Sequence, residues 1–476
     1  MLSPKLGLCA AAVVAIASGA ASADVVTSWN DALLDGLRTT RGWAPPQLAR
    51  AGAIVHASIY DAVNSASPFA NSFKAWSPIA GADPRAAAVE SGYQTMTALF
   101  GSGIGNSTFQ SQLNARRTTD LAAIPNGLGK TLGMSVGQNV AQSILAQRSA
   151  DGSSASNAYT PGTSPGDWRP DYAGGVPGVG VGVAYRNVTP WTMSTTGQFR
   201  PPACPPTSSP EYTVSYNQVK SLGSATSTTR TADESKLAWF WGNDRDGTFK
   251  PPGHYNLLAR TVADTQTATM GADGSLQRLQ QNARLLAMVN VAQADAGIAA
   301  WDAKYPPSSN GQAFWRPITG VRNGDNDNNP DTVGDANWSP LSYVGVGGGP
   351  FTPGFPAYVS GHATFGAATA QILRAYFGTD NIAFSLKTDD TDFHALMGGD
   401  ANAVWNYTSL SQAVSDNNMS RVWLGVHWDF DATVGQLVGE NVASYLVSTS
   451  FTVPAPGAAG LLGLMGFSAL RRRRRD

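Results

Sequence analysis

The chain has 476 residues, 42% apolar and 14% charged, enough for a large buried core. Its formal net charge is −1, but setting aside Lys5, the arginines at 471–475 and Asp476 leaves 26 basic and 32 acidic residues, a body of −6. No basic stripe marks a nucleic-acid partner, and no body segment has the 18 or so unbroken apolar residues of a membrane span. Residues 1–23 read as a signal peptide. Lys5 gives the positive start, 6–17 the apolar run, and Ala21-Ser22-Ala23 a small-residue cleavage site before Asp24. The expectation is export, with Cys204 as the mature chain's single cysteine and therefore no intrachain disulfide.

Residues 24–229 form the predicted first half. Apolar residues at three and four spacing predict helices over 29–37 and 48–63, with further helices over 86–100 and 128–147. His56 lies in a small-residue helix with nothing nearby to complete a site, and reads as a packing residue. Residues 150–230 are rich in Gly, Pro, Ser and Thr. Recurrent Trp168, Tyr185, Trp191 and Phe199 make them a long ordered loop wrapped on the helices. The second half, 230–450, carries helical periodicity over 234–241, 254–264 and a long central 276–301. The fold class expected is all-α, built as two helical bundles.

Three clusters in the second half carry chemistry. Trp301-Asp302-Ala303-Lys304 ends the long helix, and Phe314-Trp315-Arg316-Pro317 follows, so Lys304 and Arg316 supply two cations. Ser360-Gly361-His362 leaves a Pro-rich loop and enters an apolar helix over 363–377. The unpaired N–H groups and positive dipole end there suit an oxyanion. Ser420-Arg421 is followed by Gly425, His427 and Asp431. Gly425 is expected to break one helix and His427 to open the next, which runs to about 446, with Asp431 four residues on and so on the same face. A carboxylate there fixes the tautomer of His427. Together these residues give three cations, a hydroxyl, backbone donors and two histidines, a set matched to a tetrahedral or trigonal-bipyramidal oxyanion.

In this order the clusters resemble the three motifs of the superfamily joining type 2 phosphatidic acid phosphatases and vanadium-dependent haloperoxidases. The residues flanking them, Phe355-Pro356-Ala357-Tyr358 and Val426-His427-Trp428, resemble the chloroperoxidase branch and its bacterial relatives. The resemblance implies vanadate as cofactor, with phosphate able to occupy the same place. His427 would ligate vanadium; Lys304, Arg316, Arg421, Ser360 and the Gly361 N–H would hold its oxygens; His362 would move protons; and Trp301 and Phe355 would line the halide pocket. It also implies an upstream acidic partner for Arg421, either Asp244 or Asp246. Hydrogen peroxide and halide would be the substrates, and hypohalous acid the product. Two features depart from the pattern. Lys304 and Arg316 are twelve apart where the family has seven, so the chain over 306–312 is expected to bulge, and Val359 replaces a proline, which should loosen the loop.

Two other readings use the same residues. A soluble acid phosphatase would have His427 attack a phosphate ester, His362 protonate the leaving group and Asp431 steady His427. A non-catalytic surface or biofilm protein would keep only the fold. That last reading draws on the tail at 451–476, where Pro454-Ala455-Pro456, a short apolar stretch and five arginines resemble a PEP-CTERM sorting signal. The tail implies transient membrane contact, a periplasmic, cell-surface or extracellular location in a Gram-negative bacterium, and exopolysaccharide as a candidate partner. A plain C-terminal membrane anchor is the alternative. Outside the motifs, His394 reads as a surface-loop residue. The acidic, Asn-rich 323–335 looks like a calcium loop but lacks the spacing and terminal glutamate of an EF-hand.

Overall fold

The structure is a computed structural model that describes residues 24–101, 107–156, 158–170, 180–307, 311–346 and 350–452. The signal-peptide segment and nearly all of the sorting tail lie outside the described residues. Among the described residues fifteen α-helices follow one another: α1 (Val25–Thr39), α2 (Pro45–Ala66), α3 (Pro84–Phe100), α4 (Ser107–Ala122), α5 (Leu128–Arg148), α6 (Pro210–Leu222), α7 (Ala232–Phe240), α8 (Lys250–Thr265), α9 (Thr267–Met270), α10 (Leu276–Lys304), α11 (Pro317–Arg322), α12 (Gly361–Phe377), α13 (Thr391–Leu396), α14 (Leu410–Trp423) and α15 (Asp429–Thr449). The one sheet among the described residues is an antiparallel ribbon, β1 (Phe384–Lys387) paired with β2 (Val404–Tyr407).

The first bundle packs α3 on α5 and α2; the second packs α12 against α15, α10 and α14. The long helix α10 belongs to both, because its 29 residues lie against α2 on one side and α12 on the other. Ser275 caps its start by accepting from the Arg278 N–H at 3.0 Å, and it buries nearly every residue from Leu285 to Lys304. One hydrophobic core therefore runs through both halves.

Glycine brings α12 and α15 together. A Cβ at Gly435 would stand 2.8 Å from the Ser360 carbonyl oxygen, and one at Gly439 would stand 2.2 Å from that of Thr364. Any side chain at either position would force the helices apart, and Ser360 is tied to that contact by a 2.8 Å bond from its N–H to the Asp431 carbonyl.

The region expected to be one long loop contains α6. Ser209 caps it, Pro210 opens it, and Tyr212, Tyr216 and Val219 bury one face. Tyr212 and Tyr216 pack on Trp428, next to His427. Helix α4, which buries only Phe109, Leu113 and Leu121, was also not expected. Other described residues of the segment lie on the helices as anticipated, while 157 and 171–179 lie outside the described residues. The buried carboxylate of Asp295 on α10 accepts from the N–H groups of Trp191, Thr192 and Met193 at 2.7–3.2 Å. Arg200 pairs with Asp302 in two bonds of 2.5 and 2.7 Å.

His56 is a packing residue, fully buried with Nε2 2.9 Å from Asn30 Oδ1. His394 is not on a surface loop: it is half-buried in α13, with Nε2 3.0 Å from the Thr388 carbonyl. In the acidic stretch, the Asp327 carboxylate accepts from Asn329 N–H and Thr332 Oγ1, and that of Asp325 from Gly334 N–H, so both close turns. Among the described residues no cluster of His, Cys, Asp and Glu could hold a metal ion, and no helix is long and apolar enough to cross a membrane.

Candidate active site

The bulge expected over 306–312 includes residues 308–310, which lie outside the described residues; from Gln312 onward the chain is held by the wrapping segment. Trp168 N–H donates to the Ala313 carbonyl at 2.7 Å, and Trp315 N–H to that of Gly166 at 2.8 Å. Gln312 Nε2 reaches Asp167 Oδ1 at 2.6 Å. This support returns the chain so that Arg316, the N-cap of α11, faces the end of α10 despite the lengthened spacing.

Lys304 closes α10 and is completely buried. Its Nζ donates to the carbonyls of Pro356 at 2.8 Å and Ala357 at 3.0 Å, and lies 4.9 Å from the Phe355 ring centre and 5.5 Å from that of Trp301. Arg316, 1% exposed, donates from Nε to the Phe355 carbonyl at 2.9 Å and from Nη1 to the Val426 carbonyl at 2.8 Å. The 355–357 backbone thus links the first two motifs. Val359 does not loosen that loop: its side chain is fully buried, and Tyr358 Oη is anchored 2.8 Å from the Pro202 carbonyl. The Tyr358–Val359 peptide is cis.

Ser360 is the N-cap of α12, and Gly361 and His362 are its first two residues. The first N–H groups of a helix have no partner within it. His362 Nε2 is 3.1 Å from the Gly242 carbonyl, an acceptor only, so Nε2 carries the proton and Nδ1 the lone pair. Burial, with the Arg421 charge adding to it, holds the pKa of this histidine well below the ordinary imidazole range.

Gly425 ends α14 as expected, at φ +77° where a Cβ would meet the Gly223 carbonyl oxygen at 2.6 Å. The turn directs the N–H groups of Val426 and His427 back to the Arg421 carbonyl, at 3.1 and 3.3 Å. His427 does not open the next helix, which starts at Asp429 with Trp428 as its N-cap. Its contact with Asp431 is therefore a capping contact, not one along a helical face. Asp431 Oδ2 accepts from the Trp428 N–H at 3.0 Å and from His427 Nδ1 at 2.9 Å. The carboxylate fixes the proton on Nδ1 and leaves Nε2 as a lone pair, which faces Arg316 Nη1 at 2.9 Å. Burial first, then Arg316, Lys304 and Arg421, hold the His427 pKa well below its ordinary value. Burial raises Asp431 to about 7 against the pull of Lys304.

Arg421, in the last turn of α14, has no exposed surface, and none of its three guanidinium nitrogens has a hydrogen-bond partner among the described residues. Of the two carboxylates expected to serve it, Asp244 is the one beside it. Burial lifts Asp244 to about 6, and Arg421 is the strongest influence pulling it down. The Asp246 side chain is 54% exposed and lies 3.8 Å from Lys250. Trp301 is fully buried, with its ring centre 4.9 Å from that of Phe355.

Lys304, Arg316, Ser360, His362, Arg421, His427 and Asp431 are all buried, and Asp246 is the expected residue that stays outside. Sequence reasoning missed the Gly242 carbonyl that holds His362, and no pattern of residue types could reveal a backbone acceptor. A pocket with three buried basic side chains, two neutral histidines and a guanidinium without a hydrogen bond among the described residues is built for a multiply charged oxyanion, and vanadate or phosphate fits that donor set.

Residues 284–453 match the family described as the VCPO second helical-bundle domain. A 240-residue stretch is 33% identical to the vanadium chloroperoxidase of Curvularia inaequalis, covering 44% of this chain and 38% of that protein's length. The structure is similar to that of the first bacterial vanadium-dependent iodoperoxidase, with a TM-score of 0.71 at 20% identity over 91% of this chain and 97% of that one. It is also similar to a holo-type bacterial vanadium-dependent chloroperoxidase, with a TM-score of 0.62 at 15% identity over 86% and 92% of the two chains. The chain thus has the fold of these bacterial vanadium-dependent peroxidases, and its second bundle resembles the VCPO second helical-bundle domain.

Proposed function

We propose that this chain is a vanadate-dependent haloperoxidase that oxidises halide with hydrogen peroxide to hypohalous acid. The observation that carries this reading is Arg421, fully buried with three unpartnered nitrogens beside a histidine whose Nε2 lone pair is presented by Asp431. A buried guanidinium without a partner costs several kcal/mol, on the order of 3–5, which a bound oxyanion would offset. Its relatives' names supply the rest: a vanadium chloroperoxidase and bacterial vanadium-dependent peroxidases.

When bound, vanadate would supply the activation of peroxide for two-electron oxidation of halide. Lys304, Arg316 and Arg421 would neutralise its charge. Ser360 Oγ and the Gly361 N–H would hold oxygens at the α12 N-terminus. His427 would ligate through Nε2, steadied at Nδ1 by Asp431. His362, neutral with its proton on Nε2, would accept a proton at Nδ1 and return it to the leaving oxygen. Trp301 and Phe355 would form an apolar wall beside Lys304, where a poorly hydrated halide can be held.

We further infer export through residues 1–23 and sorting through the tail, which N-terminal sequencing and mass measurement of the secreted protein would test. The activity is tested with pure protein and orthovanadate. Bromination of a phenolic dye by peroxide should depend on vanadate and vanish in His427→Ala. Phosphate-ester hydrolysis without vanadate, and no bromination with it, would replace this reading with the phosphatase. Silence in both assays, with no anion bound, would leave a non-catalytic protein.

A further inference from the structure

Trp301 and Phe355 come from different parts of the chain, and a third part ties them together. Val181 accepts at its carbonyl from Trp301 Nε1 at 3.0 Å and from Tyr305 Oη at 3.2 Å. Its N–H donates to the carbonyl of Gly354, the residue before Phe355, at 2.9 Å. One backbone unit of the wrapping segment thus connects the end of α10 to the loop that carries Phe355.

The glycines on either side permit the approach. A Cβ at Gly182 would stand 2.6 Å from Trp301 Nε1, and the residue has φ +77°. A Cβ at Gly180 would stand 2.6 Å from Tyr305 Oη. On its other side the Trp301 ring meets Gly361, where a Cβ would come within 3.3 Å. The indole is therefore clamped between the strap and the start of α12, with Phe355 at 4.9 Å and a ring angle of 50°. Downstream the strap is fixed to α10 by Asp295 and Asp302. Among the described residues none of its contacts reaches Arg421 or His427.

We infer that residues 180–182 are a specificity-determining strap. Through the Val181 backbone they set the placement of Trp301 against Phe355, and so which halide the pocket accepts, with no direct contact to Arg421 or His427. This inference rests on the haloperoxidase reading. Val181 and its glycines are positioning residues, not catalytic ones.

The test compares the whole protein with Gly182→Ala, Tyr305→Phe and Val181→Ala. Gly182→Ala should shift the ratio of kcat/KM for iodide to that for bromide by about 10-fold, the scale of one methyl group in a pocket. Tyr305→Phe, which removes one bond to Val181, should shift it the same way by about 3-fold. Val181→Ala keeps the backbone and should leave the ratio unchanged. Inorganic phosphate affinity, measured by calorimetry, should be the same in all four. A folded Gly182→Ala protein with the wild-type ratio would overturn the inference, and so would a ratio that moves only together with phosphate affinity. Should Gly182→Ala not fold, Tyr305→Phe decides by the same criteria. If the wild type binds phosphate but oxidises no halide, the haloperoxidase reading fails separately. The strap is then judged by bromide-soaked crystals. Bromide beside Trp301 in the wild type and displaced in the variant supports it; bromide in the same place in both, or absent from Trp301 in the wild type, overturns it.

Discussion

Where α2 meets the end of α5, Arg50 and Arg148 converge on the buried carboxylate of Asp151, at 2.7 and 3.0 Å. At the C-terminal end of α10, Lys304, Arg316 and Arg421 converge on a histidine. In the first cluster one carboxylate serves both arginines, and Arg148 also donates to the Thr189 carbonyl at 2.6 Å and Arg50 to that of Arg148 at 2.5 Å. In the second, Asp431 is used on His427 and the Trp428 N–H, and Arg421, though Asp244 lies beside it, makes no hydrogen bond among the described residues. Both clusters lie in the same core, so burial alone does not mark function. What separates them is compensation. Cations with partners hold the fold together, whereas cations without them favour a ligand of opposite charge.

The comparison breaks most visibly at His427. His427→Ala should lower vanadate-dependent bromination by at least about 10³-fold, as removal of a central catalytic histidine does, with little change in melting temperature. Next come Asp151 and Arg421, whose effects should run in opposite directions. Asp151→Asn strips Arg50 and Arg148 of their carboxylate and should destabilise the protein by about 3–5 kcal/mol, with anion affinity unchanged, by chemical denaturation and calorimetry. Arg421→Met should weaken phosphate or vanadate binding by about 100-fold while leaving the unliganded protein as stable as the wild type or more so. Asp431→Asn sharpens the comparison further. It removes the charge that orients His427 and should weaken vanadate binding by about 10–100-fold, with phosphate less affected.

The smallest effect is on protons. Burial and the Arg421 charge hold the His362 pKa well below the ordinary imidazole range, so this histidine is neutral at pH 7. A bound anion offsets that charge and moves the pKa up. Binding should therefore take up protons, and affinity should fall as pH rises through the interval between the two values. Titration with sulfate, which does not itself ionise there, in buffers of different ionisation heat would measure the uptake. His362→Gln should reduce it.

Much of this was legible in the chain. The long α10, the Ser360 cap and the Gly425 break each rest on local rules, and the structure has all three. The His427–Asp431 pair was legible by its spacing, though the contact forms across a helix cap and not along a helix. Helix α6 carried a readable signal, Ser209 and Pro210 followed by apolar residues at 212, 216 and 219, but its Gly- and Pro-rich surroundings obscured it. Helix α4 is too polar to announce itself, and the β1–β2 ribbon is only four residues a side. The strap at 180–182 and the Gly242 acceptor were invisible for another reason. They act through backbone atoms, which are the same for every sequence.

The central claim is that Lys304, Arg316 and Arg421, buried around His427, form a vanadate site. Calorimetric titration of orthovanadate into wild-type protein and Arg421→Met tests it most directly. The account predicts one site per chain in the wild type and an affinity about 100-fold lower in the variant, whose unliganded melting temperature is not reduced. Equal affinity in the two proteins, or no binding to the wild type, would contradict it.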